Sequence, residues 1–427
     1  MFFFNKKSVC KCFFLYFCRS KKQMSNLEYS DVKTLYDNSI RKITTVRTDF
    51  RRYLYSQINW DNRLIGIKGG RGVGKTTLIL QHIKESFTDL EKVLYVSMDD
   101  LWFSSHSVFD LVEYHYTHGG THLFLDEIHR FREWQTFLKN IYDMYDDLHV
   151  VYTGSSLLKL DSREGDLSRR LRSYQLYGMS FREFLCFEGI CTMPSVDLET
   201  LLKEHLHIAS EAAAHVKLLP KFEQYLRHGY YPYYAEEGDG FFSRLQSTVR
   251  QVLDSDLFET EDVSYATIQK VKKMLMILAE RVPQTPKMNE LYAQLDTGRD
   301  NGLKMMNLLD RSGLIALLRS EAKSFKQMSK PEKIYPGDTN LSFCLSNAVN
   351  KGTLRETFFY NQLRVDHKVL LPPKGDFRID GKWLFEVGGN NKNFTQIKEE
   401  PDSFLAIDET EYGRGNKIPL WLFGFLY

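Results

Sequence analysis

The sequence predicts an α/β protein whose first large unit is a doubly wound parallel sheet. Three observations carry that reading. Apolar runs of strand length alternate with helical stretches from residue 61 to about residue 154. A glycine-rich segment, Gly69-Gly70-Arg71-Gly72-Val73-Gly74-Lys75-Thr76, falls where the first strand turns into a helix. A later apolar strand, Thr121-His122-Leu123-Phe124-Leu125, runs straight into the acids Asp126 and Glu127.

The elements follow in order. Residues 30–58 read as helical, with apolar or aromatic side chains at Leu35, Ile40, Ile43, Val46, Phe50, Leu54 and Ile58. Next come strand 64–68, helix 75–85, strand 93–97, a helix around 106–117, strand 121–126, a helix at about 131–144 and strand 149–153. The extended run Tyr174-Gln175-Leu176-Tyr177 leads to Ser180-Phe181-Arg182-Glu183, a capping-box pattern that starts a helix. Residues 197–257 are helical apart from a stop at His228-Gly229-Tyr230-Tyr231-Pro232. Helices at 267–278, 287–295 and 300–311, then a hairpin from 313–319 to a return strand near Lys333, make a winged-helix pattern. The expected division is therefore 1–23 an extension, 24–60 an N-terminal helix, 61–190 the sheet unit, 191–260 a helical lid, 261–345 a winged helix and 346–427 a small α/β domain.

The chemistry lies in the glycine-rich turn and the acid pair. Glycines at 69, 70, 72 and 74 let the backbone curl into a nest of N–H groups, and the helix that follows adds its positive end, so the segment Gly69 to Thr77, with Arg71 and Val73, is a phosphate cradle of Walker A spacing. Lys75 is placed to reach the β- and γ-phosphates, and Thr76 to offer its hydroxyl to Mg²⁺. Asp126 ends its strand in the same crevice and would hold that metal. Glu127 would orient, or take a proton from, the attacking water. Ser155, in Thr153-Gly154-Ser155-Ser156, is a candidate sensor of the γ-phosphate, against the alternative of a plain helix-starting turn. Arg169 and Arg170 are candidates for an arginine finger, in cis or from a neighbouring subunit, against the alternative of a solvated basic face.

Composition narrows the classes. With 427 residues, 43% hydrophobic and 26% charged, the chain suits two or three globular domains. Its formal net charge of +2 gives no overall field for nucleic acid or membrane, so any such surface has to be local. Basic residues on the third winged-helix helix and the wing, among them Arg299, Lys304, Arg311, Arg319, Lys323 and Lys333, offer one, opposed by Asp300 and Asp310. Cys186, Cys191 and Cys344 lack metal-ligand spacing and read as reduced thiols of a cytoplasmic protein. The start, Met1 to Cys18, superficially resembles a secretory signal, but Lys11 interrupts its apolar part, and translation is expected to begin at Met24.

These marks, together with Trp134 and Met179-Ser180-Phe181-Arg182-Glu183-Phe184-Leu185, resemble the prokaryotic AAA-like, STAND-related P-loop ATPases. The resemblance implies a P-loop NTPase sheet, helical lid, winged helix and a C-terminal domain related to the restriction-endonuclease fold. It also implies ATP and Mg²⁺ as cofactors. Duplex DNA at the winged helix, another copy of the chain or a partner protein are the expected partners, and no membrane. Glu356, Asp376 and Glu386 fall in the order of a PD-(D/E)XK nuclease. The lysine two residues after the second strand acid is replaced by Gly388, with Lys392 the nearest substitute, so an inactive nuclease-like scaffold is expected. A nucleotide-gated scaffold with incidental hydrolysis and an ATP-regulated nuclease stay open as alternatives.

Overall fold

The computed structural model describes residues 27–154, 167, 169–214, 216–257, 263–281, 288–320, 332–346 and 348–427. Its first sheet holds β1 (Leu64–Gly69), β2 (Val93–Ser97), β3 (His122–Asp126), β4 (His149–Gly154) and β5 (Arg172–Leu176) in the order β2-β3-β4-β1-β5, with every pairing parallel. These strands read as apolar runs because helices cover both faces. Alternate residues serve opposite faces: Leu64, Leu94, Leu123 and Val150 pack beneath one layer, and Ile65, Ile67, Phe124 and Val151 beneath the other.

The helices that close the sheet unit are α1 (Tyr29–Thr45), α2 (Lys75–Ser86), α3 (Val108–Thr117), α4 (Trp134–Met144) and α5 (Phe181–Phe187). Helix α1 stops at Thr45 and does not continue to residue 58 as expected. The run Ile43-Thr44-Thr45-Val46 is β-branched, the Thr44 and Thr45 hydroxyls bond back to carbonyls of the preceding turn, and Lys84 Nζ takes the carbonyls of Thr44 and Val46 at 2.8 and 2.7 Å. The released chain then crosses below the phosphate loop and carries Arg52 into the interior.

Downstream come α6 (Leu198–Ala213), α7 (Leu218–His228), α8 (Phe241–Gln251) and a π-helical turn, Val252–Asp256. Helices α9 (Tyr265–Arg281), α10 (Met288–Gln294) and α11 (Arg299–Arg311) precede an antiparallel hairpin of β6 (Ile315–Leu318) and β7 (Lys333–Pro336). After α12 (Thr339–Leu345) and α13 (Lys351–Leu363), a second sheet runs β12 (Lys417–Pro419), β11 (Ser403–Ile407), β10 (Trp383–Gly388), β9 (Phe377–Ile379), β8 (Val369–Leu370). β8, β9 and β10 are antiparallel neighbours, whereas β10, β11 and β12 are parallel. Among the described residues no helix is long and apolar enough to cross a membrane.

The expected boundaries at 191, 261 and 346 do not separate cores. One apolar cluster runs from Ile67 and Leu176 through Phe222 and Leu309 to Phe359 and Trp421. The last turn, Leu420–Phe425, lies on α5 and α13, and the carbonyl of Tyr427 accepts from Ser180 Oγ at 2.7 Å and Arg182 Nε at 2.9 Å.

At this junction lies a buried ion pair. Arg52 (5% exposed) and Glu183 (1% exposed) meet through two hydrogen bonds of 3.1 Å. Glu183 also accepts from the amides of Tyr53 and Ser180, at 2.5 and 3.2 Å. Arg52 donates in addition to the carbonyls of Val73, in the phosphate loop, and Tyr177. Truncating one partner of such a pair strands the other charge, so Arg52→Met is expected to cost about 3–5 kcal/mol in urea-melt stability. A loss below about 1 kcal/mol would show that the pair does not hold these segments together.

Candidate functional site

The loop owes its shape to three glycines. A Cβ on Gly69 would stand 2.5 Å from the Leu176 carbonyl oxygen of β5, and Gly72 and Gly74 adopt φ of +85° and +98°, where side chains are strained. Helix α2 then starts at Lys75 with its first amides turned toward the loop. Lys75 is buried, and its Nζ donates to the carbonyls of Gly69 and Gly70 at 3.0 and 2.9 Å. Burial lowers its pKa, with Glu127 and Asp126 pulling the other way.

Opposite the loop, Asp126 is 3% exposed and held by three hydroxyls. Thr76 Oγ1 donates to its Oδ2 at 2.6 Å, Tyr95 donates to the same oxygen at 2.8 Å, and Thr153 donates to Oδ1. Parallel pairing brings this about, since β2, β3 and β4 finish side by side. Glu127 follows in a left-handed conformation, φ +54°, and its amide donates to Thr153 Oγ1 at 3.2 Å. Its Oε2 lies 3.4 Å from His129 Nε2 and 3.9 Å from Arg71 Nη2. Arg71 turns away from the loop to Asp256, which is buried at the end of the π-helical turn, with 3.3 Å between Nη2 and Oδ1.

The segment Gly69 to Thr77, Asp126 and Glu127 are thus brought together as the spacing predicts. Arg169 and Arg170 are not. They directly precede β5, at the edge of the sheet where the strands begin, and Arg170 pairs there with Asp143 at 2.9 Å. A finger acting in cis is ruled out by that position, because the loop sits at the opposite edge. Ser155 lies outside the described residues. Three contributors escaped the sequence reading: Tyr95, the Arg52–Glu183 pair, and the aromatic run after α7. A Cβ on Gly72 would meet the Tyr233 ring at 2.6 Å, and Pro232 lies 3.9 Å from the Cβ position of Gly74. The unusual density of tyrosines at 230–234 was the available signal.

The C-terminal acids also gather. Glu356 comes from α13, Asp376 immediately precedes β9, and Glu386 is fully buried in β10. Asp376 Oδ2 accepts from the Val387 amide at 3.0 Å. Burial raises the pKa of Glu386, and Lys392, with Nζ 3.5 Å from its Oε2, opposes the rise. A Cβ on Gly388 would touch the Lys392 stem at 2.9 Å, so Lys392 covers the place of the missing motif side chain. Lys333 is the unforeseen member. Expected to face DNA from the wing, it instead places Nζ 3.0 Å from Glu356 and 3.3 Å from Asp376, while Tyr335 donates to Glu356 at 2.5 Å. Among the described residues no three His, Cys, Asp or Glu side chains are arranged to hold a metal.

Residues 61–185 match the family described as an AAA domain, and residues 219–351 match a domain of unknown function. The first supports a nucleotide-binding, ATPase-like unit in the segment that carries the loop. Two uncharacterised proteins of Methanocaldococcus jannaschii are similar. MJ1637 is 28% identical over 290 residues, 65% of this chain and 61% of its own length. MJ1544 is 22% identical over 350 residues, 79% of this chain and 74% of its own length. Solved structures overlap weakly: C. elegans PCH-2 at 18% identity and TM-score 0.23, covering 39% of this chain and 49% of that one, and AMPPCP-bound DnaA from Aquifex aeolicus at 16% and 0.24, covering 60% and 84%. Overlap this slight bears on no functional point.

Removing one hydroxyl from Asp126 should loosen its orientation by about 1 kcal/mol, roughly five-fold in affinity. Tyr95→Phe is therefore expected to weaken binding of a fluorescent ATP analogue several-fold in Mg²⁺ and little in EDTA. Equal weakening in both would show that Tyr95 acts on the fold and not through Asp126.

Proposed function

We propose that the chain is a Mg²⁺-dependent ATPase that uses nucleotide state to control its C-terminal modules. The observation that carries this is the 2.6 Å hydrogen bond between Thr76 and Asp126 beside a buried Lys75 and the glycine loop. A hydroxyl and a carboxylate at that distance suit an oxygen-seeking divalent cation. In this reading Thr76 and Asp126 hold Mg²⁺, which supplies charge neutralisation at the phosphates when bound. The amides of Gly70 to Thr77 grip the phosphate oxygens, and Lys75 leaves its two carbonyls for the β/γ-phosphates. Glu127, tethered near His129 and Arg71, orients the attacking water and accepts its proton. Arg169 or Arg170 serves as a finger only toward a neighbouring copy, which makes turnover dependent on assembly.

Glu127→Gln should keep ATP affinity and lower turnover by at least 100-fold, whereas Lys75→Ala should lose both; a coupled phosphate-release assay reads this. Turnover unchanged in Glu127→Gln would remove Glu127 as the base.

The C-terminal unit reads best as an inactive nuclease-like scaffold, because Lys333 is already paired with Glu356 and Asp376, the acids that would otherwise be open to a metal. Helices α9 to α11 and the β6–β7 hairpin support the winged-helix reading, with Arg299 and Lys304 exposed on α11. If duplex DNA binds there, Arg299→Ala with Lys304→Ala should weaken retention and reduce its salt slope by about 2. An unchanged slope would count against that surface.

A further inference from the structure

A cavity of about 250 Å³ lies between the flank of the phosphate loop, the aromatic run after α7, and the ends of α11 and α13. Three guanidinium groups from distant parts of the chain line it: Arg71, Arg311 and Arg364. Two acids share the wall, and both are engaged. Asp310 accepts the Leu317 amide at 3.1 Å. Asp338 caps α12 through the Leu341 amide at 2.9 Å and accepts from Tyr231 at 2.8 Å. Burial raises the pKa of both carboxyls, that of Asp338 to about 6. Arg71 already has Asp256.

Arg364 is the group in debt. Its Nη2 donates to the Gly337 carbonyl at 3.0 Å, and its Cζ lies 5.8 and 5.7 Å from the centroids of the Tyr177 and Tyr360 rings. Its Nε is buried without a hydrogen-bond acceptor, and among the described residues no carboxylate comes within salt-bridge distance of Arg364. A half-buried guanidinium with a buried orphan Nε–H donor favours an anion that can accept from its fork. The cavity has room for a tetrahedral oxyanion and several waters.

We infer that this cavity is a second anion site, separate from the glycine loop, that takes a phosphate group on Arg364 and Arg311. The group can come from phosphate released at the loop or from a separate phosphorylated ligand. Because the site is built by Arg364 and Arg311, it does not require that the loop hydrolyse anything.

The test is a calorimetric titration of the full-length Lys75→Ala variant with inorganic phosphate, so that the loop ammonium cannot contribute. One phosphate per chain is expected, at least ten-fold weaker after Arg364→Gln and after Arg311→Gln, each checked for an unchanged far-ultraviolet spectrum. The Arg311 variant keeps the test valid should Arg364→Gln fail to fold. Absence of phosphate binding in Lys75→Ala, or undiminished binding in the folded arginine variants, overturns the site. Added phosphate that slows wild-type turnover at saturating ATP, but not that of Arg364→Gln, identifies the released ion as the occupant. Binding without any slowing identifies a separate phosphorylated ligand. Failure of all ATP turnover would sink the ATPase reading and leave the titration intact.

Discussion

The Arg52–Glu183 pair is the constraint on which the arrangement around the phosphate loop depends. Both charges are withdrawn from water, a loss that the mutual attraction alone need not offset. The difference is made up by the neighbouring backbone: two amides point at Glu183, and two carbonyls receive Arg52. Those groups belong to the segment after α1, the phosphate loop, the end of β5 and the start of α5. Four stretches of chain are thereby fixed at one point, and the loop can hold two left-handed glycines in a set conformation before any ligand arrives.

From that point a continuous series of contacts leads toward the C-terminal acids. Tyr233 and Pro232 lie against the loop glycines, Tyr231 bonds Asp338, and the Tyr230 amide donates to Asn340 at 2.9 Å. Asp338 and Asn340 follow closely on β7, whose Lys333 pairs with Glu356 and Asp376. The shared apolar core makes the same connection by packing. The proposed nucleotide control of the distal unit would act through these contacts, which would then differ between nucleotide states.

What the sequence disclosed was local. The strand at 64–68, the glycine turn and the helix after it are specified by adjacent residues, and so is the acid pair after 121–125. The helices and hairpin between 265 and 336 were also legible from periodicity. Long-range pairing was not: Arg52 and Glu183 are 131 positions apart, Arg52 carries no local signal, and Glu183 is legible only as a capping-box residue. Arg170 looked available because three basic residues cluster there, yet its partner Asp143 is set by the meeting of α4 and β5. Lys333 belonged to a basic run read as a DNA-facing wing, and only tertiary folding turns it onto two acids. Helix α1 ended early because its β-branched end is capped by the Thr44 and Thr45 hydroxyls and by Lys84, a contact from α2 that periodicity does not disclose.

Calorimetric titration of the intact protein with ATP, in Mg²⁺ and then in EDTA, tests the central claim most directly. One saturable site per chain is expected, weakening markedly when the metal is removed and vanishing in Lys75→Ala. Absence of heat with Mg²⁺·ATP, or equal affinity with and without the metal, would contradict the assignment of the loop and Asp126 as one nucleotide site.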